Sequence, residues 1–181
     1  QMNGTLISRT PAGTELRYLC GFRNRGSGSR MADPNNVRVN FRTDAKWEGV
    51  VAVNFNSRYV AGQVAGAALA PYGALAAAAA QPVEVRVNNA DLAKNDAIMH
   101  GRYARVEVVD VEFLGHMFPD DANGNLYQGR RIVAPGADLR YQGTVTNNYR
   151  VNYFKQSNSA EDDWTDLITL TYNLSDNISA A

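Results

Sequence analysis

Apolar and polar residues alternate along much of this chain, with the two-residue period of β-strands that have one buried face. In residues 14–22, 37–41 and 51–55 the apolar side chains fall at every second position. Glycine, proline, asparagine and aspartate, which favour turns, stand between most such runs. Further strands are predicted at residues 5–8, 83–87, 131–134, 139–145, 149–153 and 168–174.

The alternation shifts by one position within residues 103–118. Val106 and Val108 belong to one phase, whereas Val111 and Phe113 belong to the other. A one-residue shift moves every later side chain to the opposite face of a sheet, and a β-bulge would restore the match. The alternative is a strand buried on both faces at this point. Either reading predicts a long, bent strand near the middle of a sheet.

Residues 60–81 are rich in alanine and glycine, and Pro71 divides them. Alanine favours helix, whereas glycine and proline interrupt it. We expect one or two short helices, or a long loop, packed closely through small side chains. Alanine and glycine offer little burial energy, so a membrane span is not expected.

Many short strands without alternating helices predict an all-β, mainly antiparallel fold. The expected architecture is a β-sandwich or jelly roll of about 8–10 strands, with a barrel as the alternative. Residues 60–81 would form a crossover connection or a short helix. No linker divides the chain, so residues 1–181 are expected to form a single domain.

The formal net charge is zero and 45% of the residues are hydrophobic, which is typical of a folded domain. This balance argues against a protein that works mainly by attracting nucleic acid. The charge is uneven, however: residues 1–60 carry nine Lys and Arg against four Asp and Glu, and residues 61–181 carry nine against fourteen. Either the two parts meet inside one fold, or complementary ends attract neighbouring copies.

Cys20 is the single cysteine, so neither an intrachain disulfide nor a cysteine-based metal cluster is possible. Its place in an alternating run predicts a small buried hydrophobe. The first residues do not show the pattern of a signal peptide. The compartment stays open, with a virion or an extracellular location favoured.

The segment from Arg23 onward lacks apolar periodicity and predicts a long loop. Arg23, Arg25 and Arg30 could hold a phosphate or an acidic neighbour there, or could only keep the loop solvated. Trp47 and Trp164 are candidate platforms for stacking against a sugar.

Asparagine recurs on the outer face of the predicted strands, at Asn40, Asn54 and Asn56. Asparagine is a poor strand former. Its repeated use therefore indicates a hydrogen-bonding surface or a partner on that face.

Asp121, Asn123 and Asn125 have the spacing with which a calcium-binding loop begins. An EF-hand would need a glycine and a glutamate where Leu126 and Ile132 stand. A different calcium geometry and a plain hairpin turn are the two interpretations, and no other cofactor is indicated.

No catalytic motif is recognisable, so the sequence predicts a protein that is not an enzyme. The leading hypothesis is a structural or assembly subunit of a virion (capsid, decoration or tail) or of an extracellular surface assembly. Its partners would be further copies of itself or other structural proteins, with neither nucleic acid nor a membrane span. A carbohydrate- or ligand-binding β-sandwich module is the alternative, and an enzyme on a β-scaffold is the third reading.

Overall fold

The chain forms two compact units in a computed structural model, Gln1–Val109 and Asp110–Ala181. The structure describes residues 1–26, 30, 33–88, 90–91 and 102–178. The expectation of a single domain over residues 1–181 is not tested by this division and stays a prediction.

The first unit is built on a six-stranded antiparallel sheet. Its strands are β1 (Met2–Thr10), β2 (Gly13–Asn24), β3 (Val37–Asn40), β4 (Ala52–Asn56), β5 (Ala80–Glu84) and β8 (Arg102–Glu107). They are arranged in the order β1-β2-β3-β4-β8-β5, and every neighbouring pair is antiparallel. A separate two-stranded piece joins β6 (Arg86–Val87) to β7 (Ala90–Asp91). The strands predicted over residues 5–55 are therefore confirmed, with shifted ends.

One face of this sheet carries the apolar core of the first unit. Its fully or nearly buried members are Cys20, Val39, Phe41, Trp47, Val53, Phe55 and Tyr103. The Trp47 ring lies 5.6 Å from the Phe41 ring and 6.5 Å from the Phe55 ring, measured between centroids. The predicted burial of Cys20 is confirmed.

The alanine- and glycine-rich segment forms helix α1 (Val60–Leu69) followed by a short 3-10 helix (Ala70–Gly73). This confirms the prediction of short helices. Pro71 lies in the first turn of the 3-10 helix, where its missing N–H is not needed. Helix α1 lies beside β5 and β8 and buries Val60. In the part of the chain that the structure describes, no helix is both long and apolar enough to cross a membrane.

The long bent strand predicted over residues 103–118 is wrong. Strand β8 ends at Glu107, and helix α2 (Val111–Met117) follows it. Asp110 caps this helix, because its side chain accepts hydrogen bonds from the backbone N–H groups of Glu112 (3.0 Å) and Phe113 (3.5 Å). The apparent phase shift is a change from the strand period to the helix period.

The second unit combines helices with one small antiparallel pair of strands. Besides α2 it contains a 3-10 turn (Pro119–Asp121), β9 (Tyr127–Gly129), α3 (Thr146–Arg150), β10 (Tyr153–Lys155) and α4 (Thr165–Ile178). Strands β9 and β10 pair with each other. Its core consists of Tyr149, Tyr153, Trp164 and Leu167.

The last predicted strand, residues 168–174, is wrong because it lies inside α4. The buried positions Trp164, Leu167 and Thr171 recur every three or four residues, which is the spacing of one helix face. The Thr171 hydroxyl lies 3.0 Å from the Tyr149 hydroxyl. Alternating apolar residues over seven positions happened to fit a strand as well.

The strands predicted at residues 131–134 and 139–145 are also absent: these residues form bends, turns and irregular segments. The strand predicted at residues 149–153 is also wrong: Tyr149 is buried in α3, and β10 begins only at Tyr153.

The chain as a whole is thus mainly antiparallel strand with few helices, which agrees with the coarse all-β prediction. The finer prediction of a sandwich or jelly roll is not confirmed. The described strands form one large sheet and two small pairs.

Candidate functional site

Polar side chains form a row across the middle of the large sheet, on the face opposite the apolar core. Arg23 of β2 pairs with Arg38 of β3, and Arg38 pairs in turn with Asn54 of β4. Directly paired residues of antiparallel strands share a face, with Cβ atoms about 4.5–5.5 Å apart. Alternate residues of one strand share a face too, so Asn40 of β3 and Asn56 of β4 belong to the same face. Arg25, which follows β2, joins this face through its hydrogen bond to Asn56. We define the polar face as Arg23, Arg25, Arg38, Asn40, Asn54 and Asn56.

Two arginines of the polar face are held by asparagines. Arg38 donates from Nε to Oδ1 of Asn40 over 2.9 Å. Arg25 donates from Nη1 to Oδ1 of Asn56 over 2.5 Å, and its backbone N–H donates to the carbonyl of Asn36. Asn40 and Asn56 thus bond to arginines of the same chain, and binding of a partner on this face stays a prediction.

The electrostatics of the polar face favour an anion. Partial burial lowers the pKa of the Arg25 guanidinium from its usual value, and the charges of Arg38 and Arg23 lower it further. The first unit, residues 1–109, carries thirteen Lys and Arg against eight Asp and Glu. An anion bound here would relieve the repulsion among the three cations. Guanidinium groups bind phosphate and carboxylate oxygens in a two-pronged geometry.

Asn54 is an unusual residue at the centre of the polar face. It is only 6% exposed, and its Oδ1 lacks a hydrogen-bond partner among the described residues. A buried oxygen without a donor is costly.

Of the candidates drawn from the sequence, Arg23 and Arg25 come together on the polar face. Arg30 is exposed, and the described contacts do not bring it to the other two. Binding by these three residues is not tested by the structure and stays a prediction.

The two tryptophans lie in the cores of different units. Trp47 is 5% exposed, and the Arg105 guanidinium lies 4.2 Å from its ring centroid. Arg105 also forms an ion pair with Glu48 at 2.5 Å. Trp164 is 6% exposed and donates from Nε1 to Asp162 over 3.0 Å. Neither ring offers an open stacking platform in this structure.

Asp121, Asn123 and Asn125 occupy the turn before β9. The Asn158 amide donates to the backbone carbonyl of Asn123 (2.7 Å) and to Oδ1 of Asn125 (3.1 Å). Asn125 in turn donates to Asp166 over 2.9 Å. Two of the oxygens are thus already engaged in hydrogen bonds, and calcium binding stays a prediction.

Sequence reasoning missed Arg38, and it missed Gln63, a residue outside the polar face whose Oε1 accepts a hydrogen bond from Nδ2 of Asn56 over 2.6 Å. Arg38 reads as an ordinary outward residue of a strand, and only the strand order places it beside Arg23. Gln63 lies in the alanine-rich helix, and its link to the sheet is purely tertiary. The recurrent asparagines at Asn40, Asn54 and Asn56 were the one feature of the sequence that pointed to this face of the sheet.

The first unit is thus an antiparallel sheet with one apolar face and one basic, asparagine-lined face. Residues 24–181 match the family described as CotH kinase protein, and this chain belongs to that family. A search of curated proteins finds no match.

This membership overturns the functional interpretation of the sequence. The expected structural subunit of a virion or surface assembly is wrong, and so is the expectation that the protein is not an enzyme, because the family is named for a kinase. The carbohydrate-binding alternative is replaced as well. Self-association and the absence of nucleic acid partners are not tested and stay predictions.

Proposed function

We propose that this chain takes part in phosphoryl transfer and that the polar face binds the phosphates of a nucleoside triphosphate. Membership in the CotH kinase protein family supports the reaction class. The observation that carries the site is the cluster of Arg25, Arg38 and Arg23, in which a partly buried guanidinium is surrounded by further positive charge.

The roles of the residues follow from their chemistry. Arg25 and Arg38 would bind phosphate oxygens, because each guanidinium is already oriented by an asparagine oxygen. A preorganised cationic site of this kind stabilises the charge on transferring phosphoryl groups.

In the reaction, a hydroxyl oxygen of the acceptor forms a bond to the terminal phosphorus. The bond from that phosphorus to the bridging oxygen breaks, and the nucleoside diphosphate leaves with its electron pair. The hydroxyl proton passes to a base. Such reactions use divalent cations to neutralise the phosphates. The described residues contain no group of three or more His, Cys, Asp or Glu that could hold a metal, so we assign no metal ligand within them.

Binding of a fluorescent ATP analogue, with and without Mg²⁺, tests the site. We expect saturable binding that inorganic tripolyphosphate displaces. Arg25→Gln and Arg38→Gln should each weaken it about tenfold or more, since a hydrogen bond to a charged group contributes about 1.5–3 kcal/mol. Arg9→Gln removes the same charge from the exposed end of β1 and is the matched control.

Transfer of labelled γ-phosphoryl to protein acceptors tests the reaction itself. The absence of saturable nucleotide and tripolyphosphate binding would overturn the assignment of the polar face. Equal weakening by Arg9→Gln would show that only net charge matters, and would overturn it too.

A further inference from the structure

Helix α1 reaches the polar face through two side-chain amides. Arg25 donates from Nη1 to Oδ1 of Asn56 (2.5 Å), and Asn56 donates from Nδ2 to Oε1 of Gln63 in α1 (2.6 Å). Gln63 then donates from Nε2 to the backbone carbonyl of Arg58 (2.6 Å). In each amide, the oxygen accepts a hydrogen bond from the side nearer Arg25, and the nitrogen donates one to the side farther from Arg25.

We call the hydrogen bonds from Arg25 through Asn56 to Gln63 the relay. The residues around the relay hold it in place. Asn56 is only 9% exposed, so water competes weakly for its amide. The Gln63 backbone N–H donates to the carbonyl of Tyr59, which fixes Gln63 at the beginning of α1. Ser57 donates to Asn36 and Pro34, which anchors the segment that carries Asn56.

The chemistry of the relay differs from that of a helix carboxylate. In protein kinases a helix glutamate forms an ion pair with the lysine that contacts the phosphates. Here the helix residue is a neutral amide that reaches the arginine through a second neutral amide. Arg25 is thus oriented by the relay, and no carboxylate of the described residues is among the groups that shift its pKa.

We propose that Gln63 is a positioning residue that orients Arg25 for polyphosphate binding through Asn56. The identity of the ligand rests on the proposed function, whereas the orientation of Arg25 is a property of the protein alone. A change in α1 would therefore alter anion binding without any contact between α1 and the anion.

A double-mutant cycle tests this role. Gln63→Met keeps an unbranched side chain of similar length but breaks both amide hydrogen bonds, and Gln63→Ala is the second variant. Each should weaken tripolyphosphate binding about fivefold, the effect of one neutral hydrogen bond. In an Arg25→Gln background the same change at Gln63 should have no further effect, because the group that it positions is gone.

Gly66→Ala is the matched control for helix propensity. Gly66 lies on α1, and an added Cβ would meet nothing within 4 Å. Alanine favours helix more than either glycine or glutamine. Both Gly66→Ala and Gln63→Ala raise the helix propensity of α1. Gly66→Ala should leave tripolyphosphate binding unchanged, so a loss of binding in Gln63→Ala would come from the missing amide and not from a change in helix stability.

Relaxation of the Arg25 Nε signal in ¹⁵N NMR, without any ligand, gives an independent readout. Greater mobility in Gln63→Met than in the wild type would support the relay. Unchanged mobility, or an equal loss of binding with and without Arg25, would overturn it. If the wild type binds neither tripolyphosphate nor ATP, the proposed function fails, and the Arg25 signal alone then decides the positioning role.

Discussion

At the scale of single residues, Tyr103 shows how the core of the first unit tolerates an unpaired polar group. Its side chain is fully buried, and the hydroxyl lacks a hydrogen-bond partner among the described residues. Burial, with a smaller contribution from the charge of Asp33, raises the pKa of Tyr103 from 10.0 to about 12. The folded protein therefore strongly favours the neutral phenol.

Tyr103→Phe should change the response of stability to alkaline pH. Because the pKa is raised in the folded state, the stabilisation is full below pH 10 and is lost as the pH rises towards about 12. The variant should lose less unfolding free energy over this window, by at most about 1.4 kcal/mol per pH unit. Urea unfolding at several pH values measures this.

At neutral pH the same change should cost little, since the hydroxyl has no hydrogen-bond partner among the described residues. Tyr72→Phe, at a residue that is 90% exposed, is the control and should follow the wild type. Parallel curves for wild type and Tyr103→Phe between pH 10 and 12 would contradict the prediction.

At the scale of elements, the transition from β8 to α2 depends on one cap. Asp110 accepts from two backbone N–H groups at the start of a helix of seven residues. So short a helix is not stable through propensity alone. Its stability therefore comes from the cap and from the burial of Phe113 and Leu114.

Asp110→Ala should lower the unfolding free energy of the second unit by about 1 kcal/mol. Asp110→Asn keeps a side-chain oxygen acceptor and should stay close to the wild type. Trp164 is the tryptophan of this unit, so its fluorescence in a Trp47→Phe background reports the transition. Equal losses in the two variants would show that the negative charge, rather than the cap, is what matters.

At the scale of the whole molecule, the two units differ in charge. Residues 1–109 carry a net charge of +5, from thirteen Lys and Arg against eight Asp and Glu; residues 110–181 carry −5, from five against ten. The boundary between the units lies later than the charge division visible in the sequence at residue 60. The acidic side chains of the second unit are partly used internally, as in the hydrogen bond from Tyr127 to Asp166 (2.6 Å).

Tripolyphosphate should therefore stabilise the first unit selectively. Trp47 fluorescence in a Trp164→Phe background should show a midpoint that rises with ligand concentration, because a ligand that binds only the folded state stabilises it. Trp164 fluorescence in a Trp47→Phe background should not shift. Equal shifts of both signals would indicate a general salt effect.

The strands of the first unit could be predicted because each has one buried face and short turns between strands. The second unit could not be predicted in this way. In α4, the apolar residues from Ile168 to Leu174 fit a strand, but Leu167 and Thr171 are the buried positions, and only packing against Tyr149 selects the helix. The same ambiguity between the strand period and the helix period produced the wrong strand prediction over residues 103–118, where Asp110 caps α2.

The sequence by itself determined the antiparallel strands of the first unit, the helix-favouring composition on either side of Pro71, and the positions of the asparagines in the alternating runs. These features depend on local alternation and backbone propensity, which neighbouring residues carry. Only the tertiary structure decided that Arg38 stands beside Arg23, that Asn54 is buried with no donor among the described residues, and that Gln63 reaches Arg25 through Asn56. Strand order and helix placement bring these residues together across long stretches of chain, and no local pattern records such distances.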